Sequence, residues 1–353
     1  MSKILLGGIG GTPTENVLRS IDDEEIIGVG SEPFDMMLSK AQKKYQVPYA
    51  GQHGYRKRMN EILDKEHPDF AHFQNDLEVL EVSKNRDDFL SRGIKLYLPT
   101  HNTICNCVDK EKSAQIWMKS DIKVAKMMGI KTEADLKKAF DTLGDRNGMI
   151  WIRQNVGGGG KGALPTNNYD FAKLWIDRFS GWGKFSAAEL LTEKTVTWLS
   201  IWYEGELVVA QTRRRDSWDF GNRTLSGVTG VTRVGMTVSD SQIDSIAEAA
   251  IMAIDRTPHG IYGVDMTYDA NGIPNPTEIN IGRFFTTVYF FTTAGLNMPK
   301  IYKDIALYNK FPALEKKINP LQDGLIWIRG MDYQPILTTE DEIRKSINLQ
   351  EHK

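Results

Sequence analysis

The sequence predicts a mixed α/β and α+β protein, with a doubly wound unit at the N-terminus and a larger, hairpin-rich part after it. Three observations predict this. The first hundred or so residues alternate short apolar runs with helical periodicity, starting from Ile4-Leu5-Leu6 and the glycine-rich turn 7–12. Two apolar runs, 149–153 and 185–191, flank the loop Gly157-Gly158-Gly159-Gly160-Lys161-Gly162. In the stretch 260–287, the β-formers Ile261, Tyr262, Val264, Met266 and Tyr268 precede the turn signal Asp269-Ala270-Asn271-Gly272 and a second run, which reads as a hairpin.

Taken in order, residues 3–6 form a buried-type strand, and the turn 7–12 leads into a helix with Val17, Leu18 and Ile21 inward. The dinucleotide fingerprint fails, because Pro13 stands where its third glycine belongs. Gly10 and Gly11 therefore serve either the close approach of a ligand or a tight strand-to-helix turn. A strand over 25–30, a helix over 34–45, a strand over 69–73, a helix over 78–92 and a strand over 94–98 continue the alternation until Pro99. Asp109-Lys110 opens a helix reaching Lys119, and a short strand follows over 122–125. Thr132 to Asp135 is a capping box for a helix that Gly144 ends.

The strand 149–153 ends in Arg153 and runs into the glycine loop. Five glycines in six positions make either a flexible linker or a backbone surface that closes over phosphates, and Arg153 and Lys161 favour the second. It is not a P-loop, since Gly162 and not Ser or Thr follows Lys161. A helix with Phe171, Leu174, Trp175 and Phe179 leads to the strand 185–191. Runs 197–203 and 206–212 pair through Gly205 and continue into Arg213-Arg214-Arg215, with Arg223 and Arg233 in the loop beyond. Such arginines form either a solvated face or a site for carboxylate or phosphate. Ser239 to Gln242 starts a helix with Ile243, Ile246, Ala250, Ile251 and Ile254 as its buried stripe. The chain closes with a strand and turn over 323–337, carrying Arg329 and Asp332, and a polar segment, 338–353, that packs loosely or stays disordered.

Composition narrows the function. The 353 residues are 41% hydrophobic and 25% charged, ordinary for a globular chain of two or three domains. The net charge of −2, with no sustained Lys/Arg stripe, gives a nucleic-acid partner no electrostatic support. Cys105 and Cys107 lack a second pair at zinc spacing and read as reduced thiols. The start MSKILLGGIGG has too short an apolar run for a signal-peptide core, and no run reaches membrane-spanning length. A soluble, cytoplasmic protein is expected.

The hairpin carries the chemistry. Residues i and i+2 of a strand share a face, so Glu278 and Asn280 point one way while Ile279 and Ile281 point to a core. Strand pairing brings Asp265 alongside. Two carboxylates and an amide oxygen repel unless solvated or bridged by a hard cation, and Mg²⁺ shared with nucleotide phosphates suits them. Arg283 follows within reach of such phosphates.

The ordered set formed by Asp109-Lys110, the run from Ile152 through the glycine loop, Glu189-Leu190-Leu191, Asp265 and Glu278-x-Asn280 resembles the ATP-grasp superfamily. It is closest to the carbamoyl phosphate synthase large-subunit-like and biotin carboxylase-like carboxylate–amine ligases. The likeness spans about residues 3–310. It implies a doubly wound, Rossmann-like pre-ATP-grasp domain (1–105) and a two-lobed ATP-grasp domain. That domain would comprise an N-lobe with the glycine loop (106–185) and a C-lobe with the metal site (186–320), followed by a tail (321–353).

The resemblance also implies roles. Lys110, Arg153 and Lys161 would hold nucleotide phosphates under the mobile loop Gly157, Gly158, Gly159 and Gly160. Glu189 with the backbone of Leu190 and Leu191 would meet adenine, and Asp265, Glu278 and Asn280 would bind Mg²⁺, with Mn²⁺ an acceptable substitute. Arg283 would contact the transferred phosphoryl group, with Arg153 and Lys161 assisting. An anionic substrate would lie between the Gly10-Gly11 turn and Arg213, Arg215 and Arg233. Two features depart from the pattern: Gly282 displaces the arginine by one position, and the ribose-contacting acid is either missing or supplied by Glu193. The implied reaction is ATP-dependent C–N ligation of a small carboxylate and an amine through an acyl phosphate, by a cytoplasmic enzyme of a family that is often homodimeric. The rivals are an ATP-grasp kinase or carbamoyl-phosphate-type phosphotransferase, and a nucleotide-binding regulatory module without turnover.

Overall fold

The apolar run after Lys3 is buried on both faces, as a strand inside a covered parallel sheet requires. In the computed structural model, which describes residues 1–21, 23–330 and 336–342, this run is β1 (Lys3–Gly7). It sits in a four-stranded parallel sheet with β2 (Glu25–Gly30), β3 (Lys43–Gln46) and β4 (Phe70–His72), in the order β3-β2-β1-β4. The turns after β1 and β4 leave the same end of the sheet on either side of its switch in strand order, where doubly wound proteins bind ligands.

Three expectations in this region are corrected. The helix expected over 34–45 is only Pro33–Leu38, because Ser39 turns extended (φ −74°, ψ 143°) and 43–46 pairs with β2 instead. The helix expected over 78–92 starts earlier and splits into Asp76–Lys84 and Asp87–Leu90. Residues 94–98 make one bridge, Lys95 to Phe70, and no strand. Beyond it the carbonyls of Tyr97 and Leu98 accept from the Tyr302 hydroxyl and the Arg86 guanidinium, so side chains replace a neighbouring strand. The helices Tyr55–Glu66 and His101–Val108 were not among the expected elements.

The second sheet is antiparallel: β5 (Met127–Ile130), β6 (Ile150–Gln154), β7 (Leu164–Thr166) and β8 (Phe185–Glu189), ordered β5-β8-β6-β7. The strand expected over 122–125 is displaced to β5, since the Ile122 amide still closes the preceding helix onto the Trp117 carbonyl. Thr132 and Asp135 form the expected capping box, and the helix Glu133–Leu143 stops at Gly144. In the helix Tyr169–Arg178, Ala172 and Ile176 face inward while Leu174 is exposed.

The third sheet has seven strands, β9 (Thr195–Tyr203), β10 (Glu206–Trp218), β11 (Thr232–Val238), β12 (Gly260–Tyr268), β13 (Pro274–Ile281), β14 (Leu325–Ile328) and β15 (Ile336–Thr339), in the order β13-β12-β9-β10-β11-β14-β15. Arg213 to Arg215 belong to β10, and Arg233 lies in β11 and not in a loop. Asp240 caps the helix Ser241–Ile254. At the end of the chain Thr338 pairs with Ile326, so this part of the polar tail is sheet, while Asp332 lies outside the described residues. Among the described residues no helix is long and apolar enough to cross a membrane.

Two buried titratable groups give stability a pH signature. His72 ends β4 between Phe284 and Tyr302, with ring centroids 5.7 and 5.2 Å away, and burial pushes its imidazole down to about 4. Burial pushes the Glu78 carboxyl up to about 7, against a hydrogen bond from Tyr55. The unfolded chain protonates His72 near 6.5, so that part of stability, about 3 kcal/mol, is lost as pH falls from 6.5 through 4. Glu78 acts oppositely, and its contribution is lost as pH rises from 4.5 through 7. Urea midpoints against pH should therefore flatten on the acid side in His72→Phe and between pH 4.5 and 7 in Glu78→Gln.

Candidate functional site

The hairpin fixes the site through its register. Asp269 accepts the amides of Asn271 and Ile273 and closes the turn, which sets Asp265 opposite Glu278 and Gly263 opposite Asn280. Ile279 and Ile281 are buried on the other face, as the period of two requires. The same row continues across the sheet, for Asp265 pairs with Thr197 on β9 and Thr197 with Arg213 on β10. Its side chains are linked. The Thr197 hydroxyl donates to Asp265 Oδ1 (2.6 Å), Arg213 Nη2 donates to Thr197 Oγ1 (3.0 Å), and Arg215 Nη1 lies 3.2 Å from Asp265 Oδ2.

Arg213 is nearly buried at 2% exposure, stacks 4.2 Å from the Phe285 ring and reaches the Thr287 hydroxyl. Burial, reinforced by Arg215, pushes its guanidinium down to about 9. It lines the cavity with little of its surface exposed, and it steadies Thr197 and, through it, Asp265.

Three cations from three parts of the chain act on Glu278, and among the described residues Lys110 alone forms an ion pair with it. Lys110 opens the helix Lys110–Lys119, which Asp109 caps by accepting two amides; its Nζ is 3.1 Å from Glu278 Oε2 and also donates to the Gly157 carbonyl. Arg153, on β6, donates to the Thr277 carbonyl beside Glu278 (3.0 Å). Arg283 donates to both oxygens of Asp76 and to Asn280 Oδ1. Burial alone would favour a neutral Glu278, but Lys110, Arg153 and Arg283 outweigh it and hold the carboxyl well below the usual carboxylate range.

These side chains line a cavity of about 900 Å³ enclosed by the second and third sheets and the turn after β1, within the range of sites that bury a small-molecule ligand. Two loops meet over it. A Cβ on Gly160 would lie 2.4 Å from the Val228 carbonyl, and one on Gly230 would lie 2.7 Å from the Gly159 Cα, so only glycines allow this approach. Lys161 is exposed on the lining and makes no ion pair among the described residues.

At the other end, Leu190 and Leu191 line the cavity where β8 has ended, and no hydrogen bond engages their amides or carbonyls among the described residues. The Glu189 carboxylate accepts the Lys126 amide (3.0 Å), and Glu193 sits exposed on the lining. Arg215 lines the cavity, while Arg233 is exposed and does not. Gly10 and Gly11 do not line it either, though Thr12 and Pro13 do. Gly10 instead packs on the Asp35 carbonyl and donates to Glu15. Sequence reasoning missed Thr197 and Asp76. Neither stands in a local motif, and Asp76 meets its partner 207 positions away.

No family model and no curated protein sequence matches the chain. Solved structures do. An L-amino acid ligase from Bacillus licheniformis superposes with a TM-score of 0.68 at 10% identity, over 93% of this chain and 79% of that one. A biotin carboxylase from Campylobacter jejuni, in a β,γ-ATP complex, gives 0.70 at 15% over 93% and 75%. A carboxyaminoimidazole ribonucleotide synthase from Aspergillus clavatus, complexed with ATP, gives 0.70 at 13% over 93% and 81%. The chain has the ATP-grasp fold. The likeness read from the ordered motifs thus holds at the level of fold, the level that identities of 10–15% support.

In this ATP-grasp fold the contact between the two loops is testable. Gly160→Ala, at a φ of 71° and against Val228, should separate them. Limited proteolysis should then cut within 157–162 several-fold faster than in wild type.

Proposed function

We propose that the protein is an ATP-dependent carboxylate–amine ligase that forms a C–N bond and releases ADP and phosphate. The observation that carries this reading is that Lys110, Arg153 and Arg283 line one cavity with Glu278, itself in register with Asp265, under a glycine-built lid. Such a site is built to offset phosphate charge and exclude water.

The donor set also fits Mg²⁺. Asp265, Glu278 and Asn280 are hard oxygen donors on one cavity wall, and among the described residues no three of His, Cys, Asp and Glu cluster as an all-protein cage. A cation there would complete its shell with phosphate oxygens and water. When bound, the metal supplies charge neutralisation between phosphates.

This chain's residues do the remainder. Leu190 and Leu191 offer free backbone groups to an adenine edge, Glu193 can accept from a ribose hydroxyl, and Lys110, Arg153 and Lys161 hold phosphates. Arg283 faces the γ-phosphoryl group as it moves to a substrate carboxylate oxygen and ADP leaves. The acyl phosphate so formed is attacked at carbon by an amine, which loses a proton as phosphate departs. Closure of the two glycine loops protects it from water. Both substrates are small molecules. Arg213 and Arg215, both on the cavity lining, make the acceptor end electropositive and suited to an anionic acid such as an amino acid or peptide. The same reading places the protein in the cytoplasm, with a homodimer as its assembly.

ADP release from Mg-ATP with pooled amino acids and small carboxylates, in the presence of hydroxylamine, tests the proposal. Wild type should yield a hydroxamate, and Glu278→Gln should lose it, with a fall in rate on the order of 100-fold or more. ADP without hydroxamate would replace the ligase by a kinase, and nucleotide binding without turnover would replace it by a regulatory module. Glu193→Gln should raise the KM for ATP several-fold and leave kcat nearly unchanged.

A further inference from the structure

Arg283 is gripped by a residue from the N-terminal part of the chain, Asp76. Arg283 follows Gly282, whose φ of 67° turns the chain at the end of β13. Its Nε and Nη2 then take the two oxygens of Asp76, and Nη2 also takes Asn280 Oδ1. No hydrogen bond engages Nη1 among the described residues, and the side chain lines the cavity. Asp76 opens the helix Asp76–Lys84 but does not cap it. Asn75 does so, accepting the Leu77 amide at 2.9 Å, which leaves the Asp76 carboxylate for a distant partner.

A second stitch fixes the backbones on both sides, for the Phe284 amide donates to Gln74 Oε1 at 2.7 Å. The lid arrives at the same point. A Cβ on Gly158 would lie 3.7 Å from Asp76 Oδ2, so the glycine loop closes against the pair. The other acid whose field Arg283 feels most is Glu278, already shared with Lys110 and Arg153. Without Asp76 the guanidinium would collapse toward Glu278 and occupy an oxygen needed for the cation.

We propose that Asp76 is the positioning residue for Arg283: it grips Nε and Nη2, holds the guanidinium off Glu278 and presents Nη1 to the γ-phosphate. The turn after β4, at the switch in strand order, thereby ties the N-terminal domain to the phosphoryl site. This rests on the nucleotide reading given above.

The test is calorimetric binding of Mg-ATP and Mg-ADP to the full chain, for wild type, Asp76→Asn, Asp76→Glu, Arg283→Gln and the Asp76→Asn/Arg283→Gln double variant. The ratio of the two affinities isolates contacts to the γ-phosphate. In Asp76→Asn the ratio should fall about tenfold toward 1, a loss typical of a misplaced charge-assisted pair. ADP affinity should stay within about twofold. Asp76→Glu should recover part of the ratio, and the double variant should match Arg283→Gln alone. An unchanged ratio in folded Asp76→Asn, or additive losses in the double variant, overturns the proposal. So does equal weakening of both nucleotides with a lowered melting temperature, which marks a merely structural tie. Wild type that binds neither nucleotide refutes the nucleotide reading itself, and the proposal falls with it.

Discussion

A single carboxylate, Glu278, feels the charge of three independently positioned cations, one of them in direct contact, and the geometry of the cavity follows from keeping that charge balance. Burying a carboxylate beside one partner would cost several kcal/mol, because both ions lose water and only part of the loss returns as attraction. Lys110, Arg153 and Arg283 together reverse the balance, so Glu278 stays ionised where burial would protonate it. Each cation arrives on a different scaffold: a capped helix start, a strand of the second sheet, and the turn that ends β13. The packing of the sheets thus determines the electrostatics of the site.

The row from Glu278 through Asp265 and Thr197 to Arg213 shows how the large sheet adds to this. Four adjacent strands present one residue each at the same register, and strand spacing places these residues about 5 Å apart along a line. A shift of register by one residue would turn every one of them into the core. Ile279 and Ile281 on the buried face, and the Asp269 turn that sets the loop length, guard against that shift. Fold stability and site geometry rest here on the same alternation.

Much of this was legible in the sequence because it is local. The capping box at Thr132, the helix start at Asp109-Lys110, the hairpin closed by Asp269 to Gly272 and the glycine loop each follow from residues a few positions apart. The errors share one cause. A helix was expected to continue to 45 and a strand over 94–98 because local pattern cannot tell whether a neighbouring strand will pair. β2 pairs with 43–46 and only Phe70 bridges 94–98. The arginines 213–215 were undecided between a solvated face and a ligand site, and the structure separates them: Arg213 (buried) and Arg215 (half-buried) both line the cavity, while Arg214 is exposed and does not.

By itself the sequence determined the chemistry on offer: which strand face carries Asp265, Glu278 and Asn280, and that a side-chain-free loop precedes Lys161. The period of two and the conformational range of glycine are properties of a few consecutive residues, so they need no partner to be read. Only the tertiary structure decided which charges meet. Asp76 and Arg283 are 207 positions apart and are joined by the docking of two sheets. Contacts of that kind depend on how surfaces pack, and no stretch of the chain encodes them alone.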